Sequence, residues 1–443
     1  MAKLFISFFN GIDDAKNPSA TLCFYETFFE GLKNAGNELF VYSNKLLGQD
    51  FGKIPEKLLN RIKKFDPDLI FLFNNCFFDI SKDFSCPIVI YEVDSPFLYS
   101  NKAAIKENPS RYKFFVPQTC TADVLKQQFG VAGKNILPVP FFTEVRAENV
   151  PPAANISFIG TKFSDDRNIN LCGRFMQTRP NESEVKIVKK FFTKLKENPF
   201  ITGRELQGLN YLRSRKIANI FNFSNQDILT AVIFELSDFE RKRVLSAVAD
   251  LGLNLYGMYW AEKTTNEINM QLSFKEKKVY SLRHNQNIYN SSKIGININH
   301  LQAKTGFSWR VCDIMASAAC LVSEYKPDFD TAFPGIKIPF FSNPYQAREQ
   351  CLKLLNNENM RQDIVAACNE IIDKKYRFAN ILEIMEQYLG INLRGKTPGK
   401  ASFVFVDHPA AAGEEKPKPN LKNKIRLKIH RHLDKKLKGK GLI

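Results

Sequence analysis

Short apolar runs alternate with amphipathic stretches through the first 150 residues. "KLFISFF" precedes the helix-like "ATLCFYETFFEGLKNAG", and "ELFVYS" precedes "PEKLLNRIKKF". "DLIFLFNN", "PIVIYEVD" and "KFFVPQ" then lead to "TADVLKQQFG" and "NILPVPFF". Apolar runs of roughly five to eight residues between helical segments predict βαβ units and a parallel sheet. Ser19 is placed to cap the first helix and Gly36 to end it.

The paired prolines of "NVPPAAN", residues 149 to 155, cannot continue a helix or a ladder and predict a linker. A second lobe opens with "ISFIGTKF". Residues 180 to 245 read as a charged helical insertion, after which alternation resumes with "FERKRVLSAVADLG", "LNLYGMYW", "KIGININH", "CLVSEY" and "IKIPFF". Three helical segments close the lobe. From residue 394 the chain turns to Gly, Pro, Ala and Lys, which predicts a flexible linker and a tail. The expected class is α/β, with Rossmann-like lobes over 1–150 and 151–393 and a basic tail over 394–443.

Composition narrows the function. Of 443 residues, 44% are hydrophobic and 25% charged, the proportions of a globular chain that can build two cores. No apolar run is long enough to span a membrane, and the start "MAKLFISFFNGIDD" reads as a strand rather than a signal peptide, so a cytoplasmic location is expected. The nine cysteines lie far apart without a C-x-x-C pair, which fits buried filler in a reducing compartment. The net charge of +17 suggests an acidic partner, and the last thirty residues alone hold eleven Lys/Arg against three Asp/Glu. Leu421, Ile425, Ile429, Leu433 and Leu437 recur every four residues there, so the tail is a candidate for loose attachment to an anionic inner membrane surface, or simply a solvated basic tail. A nucleic-acid binder would interleave basic residues with exposed aromatics or carry a known module, and the body of the chain shows neither. No histidine–carboxylate cluster has ligand spacing, so no metal or other cofactor is expected.

The segment "GFSWRVCDIMASAACLVSEY", residues 306 to 325, runs from a glycine-aromatic turn into a helix and then an apolar strand. In an open α/β lobe, ligands gather at the carboxyl ends of strands, where a helix start offers amides to an anion. Gly306 lets backbone come close, Ser308 caps or donates, and Arg310 adds a forked cationic donor. A capped buried helix is the plainer alternative.

This segment resembles the donor-site stretch of GT-B glycosyltransferases, with Gly306-Phe307-Ser308 at the turn, Asp313 at the second acid, "IMASAAC" at the small-residue helix and "LVSE" at the strand. The arginine three residues before the acid, with "YNSSKIGININH", "NISFIGTKF" and "PDFDTAF", is more narrowly similar to the CgeB-type, spore-maturation-protein-like branch. The family's first acid would fall at Thr305, and its post-helix glycine at Ala318. The resemblance implies a transferase that moves a sugar from a nucleotide-sugar donor to a glycan, lipid-linked or protein-linked acceptor in envelope glycan synthesis, with Asp313 on the ribose. Thr305 leaves open a catalytically inactive glycan-binding or scaffold subunit.

Departure of a diphosphate needs developing negative charge countered and an acceptor hydroxyl held in line. Arg310, with the turn at Gly306, Phe307 and Ser308, is the expected diphosphate grip, and Gly160 lets the opposite wall close in or is an ordinary turn glycine. His300 follows a strand and faces the cleft or is structural; His284 is the other histidine of the body. On the amino-terminal lobe, Glu92 and Asp94 of "YEVDSP" lie where an acceptor would sit, with Asp94 the candidate base or a turn cap. Asn10 and Gly11 line the same edge.

Overall fold

A computed structural model describes residues 1–12, 20–162, 225–258, 260 and 268–405, with a few isolated positions between 181 and 190. Residues 1–405 make one compact unit.

The amino-terminal lobe forms as the pattern predicts. Strands β1 (Lys3–Phe9), β2 (Glu38–Asn44), β3 (Leu69–Phe73), β4 (Ile88–Tyr91), β5 (Tyr112–Val116) and β6 (Ile136–Pro138) alternate with helices α1 (Cys23–Asn34), α2 (Glu56–Phe65), α3 (Lys102–Glu107) and α4 (Thr119–Phe129). All pair in parallel. Every residue of β3 and β4 is buried, as continuous apolar runs must be when helices cover both faces of a sheet. Helix α1 starts at Cys23 after Leu22, with no side-chain cap, so it begins later than a cap at Ser19 would require. Ser19 itself lies outside the described residues. Gly36 does end the helix, at φ 97°.

The second sheet holds β7 (Ala154–Ile159), β8 (Leu253–Tyr256), β9 (Phe274–Glu276), β10 (Ser292–Asn297), β11 (Cys320–Glu324) and β12 (Phe340–Phe341), in the order β12-β11-β10-β7-β8-β9. It is parallel throughout. Its helices are α5 (Asn225–Val248), α6 (Ile268–Ser273), α7 (Leu282–Asn290), α8 (Arg310–Met315), α9 (Asp328–Ala332), α10 (Pro344–Leu355), α11 (Glu358–Lys375) and α12 (Phe378–Leu389). Of the expected helical insertion, α5 is described and runs on to Val248; most of 180–224 lies outside the described residues.

Two segments cross back. Helix α12, which the pattern gave to the second lobe, packs on the first: the Phe378 ring lies 5.9 Å from Phe28 and 5.3 Å from Phe142. A side chain at Gly31 would meet Phe378 at 2.4 Å, so glycine there admits the crossing. Residues 401–405, expected within a flexible linker, instead form β13 (Ala401–Phe405), a parallel edge strand beside β2 in the order β13-β2-β1-β3-β4-β5-β6. "ASFVF" is β-branched and aromatic enough to add to an open edge, a signal hidden by the glycine and proline before it. The tail from 406 onward, with its expected amphipathic stripe, lies outside the described residues. No described helix is long and apolar enough to cross a membrane.

Candidate active site

The carboxyl ends of the two sheets face each other across a cleft. Ile12 and Leu22 line it from the first lobe, and Ile159, Gly160, Gly257, Met258, Lys277, Lys278, Tyr280 and Arg310 from the second. Arg310, the first residue of α8, has its guanidinium 4.3 Å from the Trp309 ring. Its Nε is buried and meets no hydrogen-bond acceptor. A guanidinium with an unpartnered N–H at the wall of a cleft is suited to an incoming anion, although the buried Asp313 carboxylate also feels its charge.

Gly160 lines the same cleft. A side chain there would strike the Phe158 ring at 2.6 Å, and one at Gly257 (φ 123°) would strike the Gly160 carbonyl at 2.2 Å. Trp260 Nε1 donates to that same carbonyl at 2.6 Å. The wall is therefore bare backbone, held flat by an indole. Beneath it Arg241 donates to Thr161 O at 2.5 Å, its guanidinium pKa lowered by burial and then by the charge of Arg310.

The rest of the expected grip is used within the fold. The amides at the mouth of α8 are taken: Ser308 N donates to Asn299 Oδ1 (3.0 Å), Arg310 N to Ser308 Oγ (3.3 Å), Val311 N to Ser308 O (2.9 Å) and Cys312 N to Trp309 O (3.1 Å). Ser308 caps the helix and leaves its entrance without open donors at those positions. Gly306 is needed for another reason than ligand approach, because a side chain there would lie 2.5 Å from Gln118 Cβ of the first lobe. Phe307 packs on Phe329 and Phe333 at 4.6 and 5.3 Å, away from the residues that line the cleft. Asp313 is 3% exposed; its carboxylate accepts from Thr143 Oγ1 (2.5 Å) and Cys23 Sγ (3.5 Å), and burial raises its pKa to about 6. These contacts are with the first lobe, where a ribose ligand would need the carboxylate open.

Thr305 belongs to the same lobe contact. Its Oγ1 meets Thr119 Oγ1 and Cys120 N, each at 3.2 Å, and donates to Asp328 Oδ2 at 3.1 Å. Asp328 in turn accepts from Thr119 N (2.9 Å) and Thr119 Oγ1 (2.6 Å), so the start of α4 is clasped by the second lobe. The Phe24 ring stacks on Trp309 at 6.3 Å across the same boundary.

His300 is a structural residue in this arrangement. Its ring lies 4.7 Å from Phe234, Nδ1 accepts from Gln302 N at 3.4 Å, and burial pushes its pKa well below the usual histidine value, with Arg241 adding to the effect. His284 pairs through Nε2 with Glu276 at 3.1 Å near the surface. On the first lobe Glu92 is fully buried beneath α4; it accepts from Thr121 Oγ1 (2.8 Å), Tyr99 OH (3.0 Å) and Gln118 Nε2 (3.1 Å), and it is no acceptor-side ligand. Asn10 is equally internal, its side chain folding the loop through Ala20 O and Ile12 N, while Gly11 is exposed. Asp94 differs. Partly buried, it accepts from Asn74 Nδ2 at 2.8 Å and from Gln302 Nε2 of the other lobe, and burial raises its pKa. Arg310 and Gly160 thus line one cleft, while Asp94 is not among its lining residues and is tied to the second lobe through Gln302. Gly257 and the lysines of "KEKKVYS" went unread, although paired lysines after a short strand were the available signal. Among the described residues, no group of three or more His, Cys, Asp or Glu is placed to hold a metal ion.

Residues 241–387 match the model of a family described as glycosyl transferase-like. That segment, about a third of the chain, is glycosyl transferase-like. Two solved structures have the same architecture. Sucrose-phosphate synthase of Thermosynechococcus elongatus is 9% identical, with 88% of this chain and 98% of that one covered at a TM-score of 0.51. The Anabaena protein HepE, in a complex with UDP and glucose, is also 9% identical, with 88% and 100% covered at a TM-score of 0.50. At such identity the likeness is one of fold, and the fold of this chain is the two-lobed GT-B arrangement. No curated protein matches the chain.

Proposed function

We propose that this chain is a metal-independent transferase of the CgeB-type branch, which takes a nucleoside-diphosphate sugar into the inter-lobe cleft and passes the sugar to a glycan, lipid-linked or protein-linked hydroxyl. The observation that carries the reading is Arg310: a guanidinium on the cleft wall, its Nε buried without an acceptor, in one cleft with the bare backbone at Gly160 and Gly257. The exposed Lys277 and Lys278 border the same space and add positive charge where a diphosphate leaves. With the amides of α8 engaged, charge stabilisation falls to these side chains.

In this reading Asp94 receives the acceptor's proton. Its raised pKa makes it a better base than an ordinary aspartate, and Gln302 holds it from the lobe that carries Arg310. The sugar C1–O bond to the diphosphate breaks as the C1–O bond to the acceptor forms, and the hydroxyl proton passes to Asp94. Replacing Arg310 with Ala is expected to lower nucleotide-sugar hydrolysis and transfer by at least about a hundredfold, the usual loss when one charge-stabilising donor is removed, with an unchanged circular-dichroism melt. Full turnover in that variant removes the proposal.

A further inference from the structure

Asn299 lies in the loop between β10 and α8 and is 4% exposed. Its Oδ1 accepts from two donors, Ser308 N at 3.0 Å and Asn297 Nδ2 at 3.2 Å. Those donors fix the amide, because the flipped form would press an NH2 against both. Its backbone is held as well, with Asn299 N donating to Glu324 Oε2 at 3.0 Å. Nδ2 is thereby directed away from Ser308 and Asn297, and it is buried with no acceptor among the described residues. A buried donor left in that state carries its desolvation cost uncompensated, and a satisfied fold seldom tolerates it without a reason.

Arg310 Nε is in the same state, and Ser308 joins the two: its N–H meets Asn299 and its Oγ meets the Arg310 amide. Two buried, unaccepted donors joined through Ser308, one of them on a side chain that lines the cleft, call for a ligand rich in acceptor oxygens. We infer that Asn299 is a second donor-subsite residue, its Nδ2 donating to an oxygen of the diphosphate that Arg310 holds. This rests on the donor reading given above and adds an uncharged donor to the cationic grip.

The test is a calorimetric titration of UDP, GDP and ADP, followed by their glucose conjugates, into wild-type protein and the variants Asn299→Asp and Asn299→Ser. Aspartate keeps the oxygen that Ser308 and Asn297 require but turns the orphan donor into a negative oxygen facing phosphate. Serine is neutral but one atom shorter. A ligand role predicts that Asp is the worse substitution, weakening the best diphosphate roughly a hundredfold against about tenfold for Ser, a charged hydrogen bond lost and a repulsion gained. A purely structural role predicts the reverse order, with Asp close to wild type in both melting temperature and affinity. Equal affinity in all three proteins, or a loss seen with the sugar conjugates but not with the bare diphosphates, overturns the inference and leaves the donor site standing. If wild-type protein binds no nucleoside diphosphate, the donor reading falls and this inference falls with it.

Discussion

Burial raises the Glu92 carboxyl to about 8 although three donors oppose the shift. The unfolded chain loses this proton near the ordinary glutamate value of about 4.3, whereas the folded chain keeps it. Between those two values the folded state binds more protons than the unfolded one, so stability is full below the unfolded pKa and declines as pH rises toward 8. Each unit of separation is about 1.4 kcal/mol, and the decline amounts to a few kcal/mol. Glu92→Gln, which mimics the protonated acid, should match wild type in urea melts at pH 4 and exceed it at pH 8. Parallel pH curves for the two proteins would contradict the account. The site was unevenly legible at this scale. Arg310 stood out through its place three residues before the acid of the family-like segment, since the pattern alone fits a capped buried helix as well, and Gly160 because it follows a strand. Asn299 did not, since nothing in "IGININH" separates an asparagine whose amide is half satisfied from its neighbours. Glu92 and Asp313 were misread for one reason: a carboxylate at a strand end or helix start looks exposed until the elements that bury it are in place.

Among the elements, α8 departs most from expectation. A six-residue helix whose first amides are taken by Ser308, Asn299 and its own turn has little positive end to offer. It serves as a mount for Arg310 and Trp309 and as a contact with the other lobe. Periodicity predicts such a helix well but says nothing of which amides remain open. Strand β13 shows the complementary failure, where local chemistry suggested a linker and the open edge of β2 supplied the partner. The approach is close enough that a side chain at Gly399 would meet Asn37 O at 1.8 Å. Truncation after residue 393 should therefore melt several degrees below truncation after residue 405, because only the first exposes β2 as an edge. Coincident melts would show β13 to be dispensable.

Across the whole molecule, the alternation of apolar runs specified two parallel sheets, while the way they meet came from scattered polar residues that no pattern ties together. Thr119 with Asp328, Thr143 with Asp313, and Asp94 with Gln302 each join the lobes across more than 150 residues of chain. The residues that closed the family's acid pair at Thr305 and Asp313 to ligand are the ones that fasten this boundary. What the boundary leaves open is the cleft at Arg310. The most direct test is the melting temperature of wild-type protein and of Arg310→Ala across a panel of nucleoside diphosphates. A ligand at a hundred times its Kd stabilises the folded form by about 2.7 kcal/mol. The account predicts a rise of a few degrees for wild type with at least one diphosphate and little or none for Arg310→Ala. An equal rise in both proteins would contradict it.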